Sequence, residues 1–555
     1  MKRDRIILAV FFILASMIFI RLFEMQVIHY KFYRGKAERQ RKRIINLAAD
    51  RGDILDRNGR ILATSIDTTS IYVNPREFTN VKELSALLKE AVGPFDKKKL
   101  FAWVKRKIDP SLGRIIEEKK LKGVYFLNEK KRVYPKGHFA SQLIGFVGID
   151  NEGLSGIELS CDRYLKGVEG RIVTESDPMG YELLSVKDKN VLEAAPGSNL
   201  TLTIDETIQY YAEREIEKAV KNYNAVSGLA LVMDAKTGEI LALAGKPDFD
   251  PNEYSKFDPM RWKSSVIDAY EPGSTFKVIT AAAGLDEGVI NLETKLNALD
   301  SLTIGGKVIK NSHDINWKGK FISVSWMLEQ SINTGAAQIS IKLGPDKFYK
   351  KIKDFGFGEP TLIGLQGESR GLLREPKDWY KPDIAMIAFG QSIAVTPLQM
   401  VSAFSGIAND GKRVRPFLIK KIESQDLSTL KTFTAEELNR AISKKTAQDM
   451  IKLLENVVLL GSGRKTKMSD YRVGGKTGTA QKAGQGGYLK GRYIASFIGI
   501  APLSDPKLIA MVIVNEPRGC IWGETVAGPT FKNIVEASLR YLNVPPDMVK
   551  SANKP

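Results

Sequence analysis

The stretch AYEPGSTFKVITAAAGLDEG, residues 269–288, decides how the second half of the chain folds. A Pro-Gly turn signal is followed by an apolar run of helical length that ends at Asp286. A helix that is apolar on nearly all sides is usually buried in a core. Ser274 and Lys277 lie three residues apart at the start of this run, so a helix would hold both polar groups on one face. Taken alone, the pair fits either a serine cap with a lysine reaching for water or a catalytic pair.

Two further polar islands follow in the same half of the chain. LEQSINTGAAQIS places Ser331 and Asn333 between apolar helical stretches. DYRVGGKTGTAQK precedes two apolar strand-like runs and carries four candidate residues: Lys476, Thr477, Gly478 and Thr479. The Gly-Lys-Thr tripeptide matches the end of a phosphate-binding loop, but Asp470 replaces the leading glycine and no helix pattern follows. Phosphate binding is therefore not indicated.

Composition and charge narrow the class of protein. The 555 residues are 43% hydrophobic and 26% charged, which is ordinary for a globular protein of two or more domains. The net charge of +19 suits anionic lipid or an anionic polymer, while the dispersed basic residues and the lack of zinc-finger spacing argue against nucleic acid. We expect Cys161 and Cys520 to be free, buried thiols. The three histidines are isolated, so we expect no metal, no cofactor and no histidine-dependent triad.

The amino terminus predicts a membrane anchor. MKRDR is followed by fifteen residues without a charge, IILAVFFILASMIFI, and no small-x-small cleavage site comes after them. We therefore predict a cytoplasmic tail at 1–5 and an uncleaved transmembrane signal anchor at 6–23. The basic residues at the start would keep the terminus in the cytoplasm and place the catalytic part outside, in the periplasm or facing the wall.

The rest of the chain divides by composition into two regions. From 24 to 204, short strand-like runs alternate with turn signals, including a hairpin signal in RGDILDRNGRILATS, and we predict a non-catalytic pedestal module. SGLALVMDAKTGEILALAG then reads as strand, turn and strand after an amphipathic helix. This opens an α+β domain with an antiparallel sheet at 205–545, followed by a tail at 546–555.

The order Ser-x-x-Lys, Ser-x-Asn and Lys-Thr-Gly is a set known from class A β-lactamases and penicillin-binding proteins. With RGDILDRNGRILA, YEPGSTFK, FGQSIAVTPLQM, GGKTGTAQK and YIASFIGIAP, the chain resembles class B penicillin-binding proteins nearly end to end. YEPGSTFK and WGETVAGPTFKNI look most like FtsI-type cell-division peptidoglycan D,D-transpeptidases. The resemblance implies the penicillin-binding transpeptidase fold, an antiparallel sheet flanked by helices, behind a transmembrane helix and an elongated dimerisation-type pedestal.

The chemistry of acyl transfer assigns the catalytic roles within this resemblance. A serine hydroxyl needs a base within hydrogen-bond reach, and without a suitable histidine Lys277 is the candidate base for Ser274. An ordinary lysine pKa is about 10.4, so burial and a second cation, Lys476, would have to lower it by about three units. By the resemblance, Ser331 would relay a proton between Lys277 and the leaving or attacking amine.

The resemblance also implies the substrate and its contacts. Asn333 would bind the peptide amide of a stem peptide ending in D-Ala-D-Ala. Lys476, Thr477 and Thr479 would hold the terminal carboxylate, and Gly478 would let the backbone approach closely. The implied partners are β-lactam antibiotics, membrane lipid through one span, and a polytopic glycosyltransferase of the FtsW kind with other division proteins.

Other functions stay open at this stage. An elongation-type transpeptidase and a D,D-carboxypeptidase share every motif, and a non-enzymatic β-lactam sensor or division scaffold would keep the fold without turnover. A class A β-lactamase needs a glutamate in an E-x-x-L-N loop, and AEELNR at 435–440 has Ala435 in that place, in a stretch that we read as a surface helix. The acceptor amine and the oligomeric state are not specified by these residues.

Overall fold

The computed structural model describes residues 2–47, 49–175, 190–313, 319–484 and 487–548. The chain forms two compact units, one of residues 1–50 with 166–197 and one of residues 51–165 with 198–555.

The first unit starts with helices α1 (Lys2–Phe23) and α2 (Tyr30–Arg41), joined by a π-helical turn at Glu24–Ile28, and continues into strand β1 (Lys42–Leu47). The 26 residues from Arg3 to Ile28 are long and apolar enough to cross a membrane, and none of their length is buried against protein. At 1.5 Å per residue they exceed the roughly 30 Å of a hydrocarbon core. The chain therefore has the apolar amino-terminal helix that its sequence predicts.

The next segment, up to residue 204, contributes short strands and helices to both units. In chain order they are β2 (Ile54–Leu55), β3 (Ile61–Val73), α3 (Val81–Leu88), β4 (Ala102–Ile108), α4 (Pro110–Glu118), β5 (Val124–Val133), α5 (Ser141–Ile144), α6 (Gly156–Ser160), α7 (Asp162–Leu165), β6 (Gly170–Glu175), β7 (Asn190–Leu192) and β8 (Asn199–Leu202). Strands β1, β6 and β7 form the sheet of the first unit. The predicted hairpin is present, because β2 pairs antiparallel with β3 and Gly59 has the φ of +84° that favours glycine.

A buried ion cluster connects the start of RGDILDRNGRILATS to later parts of this segment. Arg51, which opens RGDILD, donates from Nε to Glu158 Oε2 at 2.7 Å, and Arg132 donates from Nε to Glu158 Oε1 at 2.6 Å. Glu158, on α6, is fully buried. A buried carboxylate is tolerated when it is paired and hydrogen-bonded, so these charges have a structural role.

The larger domain supplies the remaining elements. In chain order they are α8 (Glu206–Asn222), β9 (Ser227–Asp234), β10 (Ile240–Lys246), α9 (Lys277–Asp286), β11 (Lys295–Asn297), β12 (Ser301–Ile304), β13 (Lys307–Lys310), β14 (Phe321–Ser323), α10 (Val324–Glu329), α11 (Asn333–Leu343), α12 (Pro345–Asp354), α13 (Asp383–Ile387), α14 (Pro397–Ala408), β15 (Lys412–Val414), β16 (Ile419–Glu423), β17 (Thr429–Thr432), β18 (Glu437–Arg440), α15 (Lys444–Leu459), β19 (Gly474–Gly484), β20 (Gly487–Ala501), β21 (Leu508–Asn515), α16 (Gly523–Val526) and α17 (Gly528–Tyr541).

The centre of this domain is an antiparallel five-stranded sheet in the order β10-β9-β21-β20-β19. Alternate strand residues pack against α8 and α17 on one face, and against the core that contains α9, α14 and α15 on the other. The predicted α+β architecture, with helices on both faces of the sheet, is confirmed. Helix α9 is buried from Lys277 to Gly284, and β19 forms the sheet edge beside the start of that helix.

Two details differ from the sequence reading. The residues that we read as a surface helix include β18, which pairs with β15, because the short strand finds a partner that local propensity does not reveal. The expected burial of both thiols is wrong for Cys520, which is only partly buried, whereas Cys161 is buried; both are free.

Candidate active site

Ser274 lies on a tight turn that feeds the buried helix. The turn is a 3₁₀ helix from Gly273 to Phe276, and α9 continues from it. Gly273 has a φ of +57°, and a Cβ added there would lie 2.9 Å from the Ala480 Cβ. Its N–H donates to the Gly390 carbonyl at 3.1 Å. Only glycine fits this conformation and this contact, so the Pro-Gly pair fixes the serine against the edge strand.

Lys277 connects the Ser-x-x-Lys motif to the Ser-x-Asn motif. Its side chain is fully buried, and its Nζ lies 3.1 Å from Ser274 Oγ and 3.1 Å from Ser331 Oγ, with a further contact to the Ser331 carbonyl. Burial and then the charge of Lys476 hold the pKa of the Lys277 amine well below its usual range. A neutral amine keeps two N–H donors for Ser331 and a lone pair that can face Ser274. The geometry therefore pairs a serine hydroxyl with a base.

Ser331 adopts a conformation that serine seldom takes. It lies between α10 and α11 with a φ of +59°, and its N–H donates to the Leu328 carbonyl at 3.3 Å. A non-glycine residue in the left-handed region costs roughly 1–3 kcal/mol and is found mainly where the surrounding structure enforces it. Here that conformation brings both the hydroxyl and the carbonyl of one residue onto the Lys277 amine.

Asn333 is the first residue of α11 and lies on the wall of a cavity. Its Nδ2 donates to the Lys310 carbonyl of β13 at 2.8 Å, which attaches the β12–β13 hairpin to this helix. The cavity has a volume of about 630 Å³ and is open to solvent. Of the residues predicted for the site, five line it: Ser274, Ser331, Asn333, Thr477 and Thr479.

The Lys-Thr-Gly motif occupies the edge strand β19, and its lysine is placed deeper than the sequence suggests. Lys476 is fully buried, and its Nζ lies 3.2 Å from both the carbonyl and the Oγ1 of Thr477. On the side of the cavity formed by β19, Thr477 and Thr479 line the wall, and Lys476 lies behind Thr477. Burial lowers the pKa of Lys476 to about 7.

Gly478 is required by packing within the protein. A Cβ at this position would lie 2.3 Å from Ser496 Oγ and 3.0 Å from the Thr275 Cγ2. Thr275 is next to the candidate nucleophile, so the missing side chain lets the turn that carries Ser274 press against β19. This is a different close approach from the one that the sequence predicted, which was toward a substrate.

Ser462 is a cavity residue that the sequence analysis did not identify. Its Oγ lies 3.0 Å from Thr477 Oγ1, and its N–H donates to the Glu329 carbonyl at 2.9 Å. The surrounding Gly-Ser-Gly is a turn signal, but nothing in its local pattern places it beside β19. Ser462 therefore adds a third hydroxyl to the two threonines on this wall.

Glu271 is a second residue whose role the sequence analysis did not identify, although it belongs to the quoted stretch YEPGSTFK. Its Oε1 accepts from the Ser392 N–H at 3.0 Å and from the Tyr488 hydroxyl at 3.3 Å, which joins the turn before the nucleophile to two other segments. Its Oε2 is buried and has no hydrogen-bond partner among the described residues. Burial raises the pKa of this carboxyl, because its charged form is poorly solvated there.

Comparison with known proteins agrees with this geometry. Residues 228–536 match the family model of the penicillin binding protein transpeptidase domain, and residues 46–202 match that of the penicillin-binding protein dimerisation domain. The stage V sporulation protein D of Bacillus subtilis is 38% identical over 516 residues, which are 90% of this chain and 79% of that protein. The peptidoglycan D,D-transpeptidase FtsI of Escherichia coli is 30% identical over 99% of this chain and 92% of its own length.

Solved structures show the same fold. Penicillin binding protein 3 from Mycobacterium tuberculosis, complexed with ampicillin, superposes with a TM-score of 0.72 at 26% identity, covering 92% of this chain and 98% of that one. Two family models together match most of the chain, and the relatives match it along most of their own length. These findings assign the chain to one family. The chain belongs to the class B penicillin-binding proteins, and it is a serine-type peptidoglycan D,D-transpeptidase of cell-wall synthesis.

Proposed function

We propose that Ser274 carries the acyl group during transpeptidation and that Lys277 is its general base. The observation that supports this most is the buried amine within 3.1 Å of two hydroxyls. Ser274 Oγ bonds to the carbonyl carbon of the penultimate D-Ala while its proton passes to Lys277 Nζ. The bond to the terminal D-Ala nitrogen then breaks, and Ser331 passes the proton from Lys277 to that leaving amine.

The second half-reaction reverses these proton movements. An amine of a neighbouring stem peptide attacks the ester carbonyl and gives up a proton through Ser331 to Lys277. The new amide forms as the carbon–oxygen bond to Ser274 breaks, and Lys277 returns its proton to Ser274 Oγ. The backbone N–H groups of Ser274 and Thr479 stabilise the oxyanion in both steps.

The substrate contacts follow from the two cavity walls. Thr477 and Thr479 donate hydroxyl hydrogen bonds to the terminal carboxylate, and Lys476 supplies a positive charge from behind Thr477. Asn333 binds the amide that precedes the scissile bond. Among the described residues, β19 is the last strand of its sheet, so an extended peptide can add to it as a further strand on the cavity side.

The reaction is tested by the products made from lipid-linked precursor with a partner glycosyltransferase. The enzyme is expected to yield cross-linked muropeptide dimers, detected by mass spectrometry, and Ser274→Ala is expected to yield none. A product mixture of trimmed monomers without dimers would show that water is the acceptor and that the protein is a carboxypeptidase.

We place the catalytic domain outside the cytoplasm, since three basic residues precede the charge-free run that starts at Ile6. A reporter fused to the carboxyl terminus is expected to be active only in the periplasm or wall space, and the same reporter at the amino terminus only in the cytoplasm. A mature protein whose amino terminus lies near residue 24 would contradict the anchor.

We propose a septal role and a polytopic glycosyltransferase of the FtsW kind as the partner, with the module at 24–204 as the docking pedestal. The likeness to FtsI supports the septal role.

An exposed aromatic cluster on β3, β4 and β5 offers a docking face. Tyr72 stacks on Tyr125 with ring centroids 5.4 Å apart, and Trp103 is 38% exposed. Trp103→Ala is expected to lower dimer formation in the coupled assay while penicillin acylation continues at the wild-type rate; a parallel loss of acylation would contradict docking at this face.

A further inference from the structure

The wall of the catalytic cavity carries one carboxylate among several basic groups. Of the described residues that line the cavity, Glu524 is the only acidic one, whereas Lys307, Lys310 and Arg464 are basic. The Glu524 carboxylate makes no hydrogen bond and no ion pair within the described part of the chain. Arg464 donates instead from Nε to the Gly461 carbonyl at 3.2 Å. The charge of Glu524 is therefore available to a ligand in the cavity.

Helix α16, which carries Glu524 as its second residue, is fixed against strand β19. The N–H of Gly523 donates to Thr479 Oγ1 at 3.2 Å. A Cβ at Gly523 would lie 2.4 Å from the Gly478 carbonyl oxygen, so only glycine lets the start of the helix approach the strand this closely. Glu524 is thus held next to the cavity wall that Thr479 forms.

The side from which the acceptor amine enters follows from the path of the leaving group. In the proposed mechanism the terminal D-Ala leaves from the wall formed by Thr477 and Thr479, where its carboxylate is held. Transfer of the acyl group to an amine is the reverse of this step with a different amine. The acceptor therefore approaches the ester of Ser274 along the same wall. Glu524 adjoins this wall through the contact between Gly523 and Thr479.

The acceptor amine arrives with a positive charge. Primary amines on peptides have pKa values of about 8 for an α-amine and about 10.4 for a side-chain amine, so most of them are protonated at neutral pH. The three basic residues of the cavity lining oppose the entry of such a cation. A carboxylate beside the entry path offsets this repulsion and raises the local concentration of the acceptor.

We propose that Glu524 binds the ammonium group of the acceptor stem peptide before that amine attacks the ester. This inference rests on the proposed Ser274 chemistry and adds a residue that selects cationic acceptors. The ammonium loses one proton to water as it leaves Glu524, and the neutral amine forms its bond to the carbonyl carbon. Its second proton passes through Ser331 to Lys277, which protonates Ser274 Oγ as the ester bond breaks. Partly exposed ion pairs are modest, so we expect a contribution of about threefold.

Two nucleophiles of different charge test this binding. The acyl-enzyme is formed from a thioester analogue of acyl-D-Ala-D-Ala on the full-length protein in detergent. Its aminolysis products are measured by mass spectrometry, and the enzyme-free reaction is subtracted. At about pH 7, D-alaninamide is mostly an ammonium ion, whereas hydroxylamine is mostly neutral.

Glu524→Gln is expected to lower the ratio of D-alaninamide product to hydroxylamine product by about threefold at neutral pH. Added salt should lower this ratio in the wild type but hardly in the variant, because salt screens the ion pair. At about pH 9, where D-alaninamide is mostly neutral as well, the two proteins should give equal ratios.

The controls separate this inference from the catalytic assignment. Asp346→Asn removes an exposed carboxylate from the first turn of α12, outside the cavity lining, and should leave the ratio at the wild-type value. An unchanged ratio in Glu524→Gln, or an equal loss of both products, would overturn the proposed acceptor site. Failure of the wild-type protein to form either product would instead overturn the proposed acyl transfer from Ser274.

Discussion

Ser274→Ala is expected to abolish covalent labelling by a fluorescent penicillin while the protein stays folded. Without the hydroxyl no ester can form at this position, and the other hydroxyl on the Lys277 amine, that of Ser331, has the role of proton relay in the proposed mechanism. Loss of one hydroxyl at a helix start costs only about 1 kcal/mol. Gel fluorescence measures the labelling, and thermal unfolding of the same preparation measures stability.

Ser265→Ala is the matched control, because Ser265 is exposed on a nearby 3₁₀ turn. It should label at the wild-type rate. Residual labelling of Ser274→Ala above a small fraction of that rate would mean that another residue is acylated.

Lys277→Ala is expected to slow acylation by about 10²–10⁴-fold, the usual contribution of a general base. Lys277→Met should behave alike, because it keeps most of the buried volume and removes only the amine. Lys295→Ala, an exposed lysine of β11, is the control and should have no effect. If Lys277→Met retained the wild-type acylation rate, the amine would not be the base.

The pH dependence of acylation follows from the two buried lysines. The neutral Lys277 amine is the reactive form, and its pKa is lowered, so the rate is retained at neutral pH and lost as pH falls through that lowered pKa. Lys476 must be charged to attract a carboxylate, and its pKa is about 7, so the second-order rate constant should also decline above pH 7. The plot of rate against pH is therefore expected to be bell-shaped. Because the charges of Lys277 and Lys476 interact, the two apparent pKa values of this profile belong to the pair of lysines. Lys476→Ala should weaken acylation and remove the alkaline limb.

The sequence predicted the parts of the site that are local. Ser274 and Lys277 are three residues apart, and a turn entering a buried helix is enough to bring them together. The strand with the Lys-Thr-Gly motif was also predictable, because apolar strand patterns follow it, but its position at the sheet edge was not. The fold class followed from the alternation of strand and helix patterns and from the resemblance that the motifs carry.

The parts that escaped prediction depend on contacts between distant segments. Ser462 reaches the cavity only because its turn packs below Glu329, and Glu271 gains its role from Ser392 and Tyr488. The depth of Lys476 depends on which side of β19 faces the core, and the φ of +59° at Ser331 depends on the two helices that flank it. None of these constraints leaves a periodic pattern in the sequence.

Tandem mass spectrometry of the penicillin-treated protein tests the central assignment most directly. Because no E-x-x-L-N glutamate is available to activate water, the acyl-enzyme is expected to survive digestion and to appear as one penicilloyl group on the peptide that contains Ser274. A penicilloyl group on a different peptide, or rapid release of hydrolysed drug with no adduct, would contradict the account.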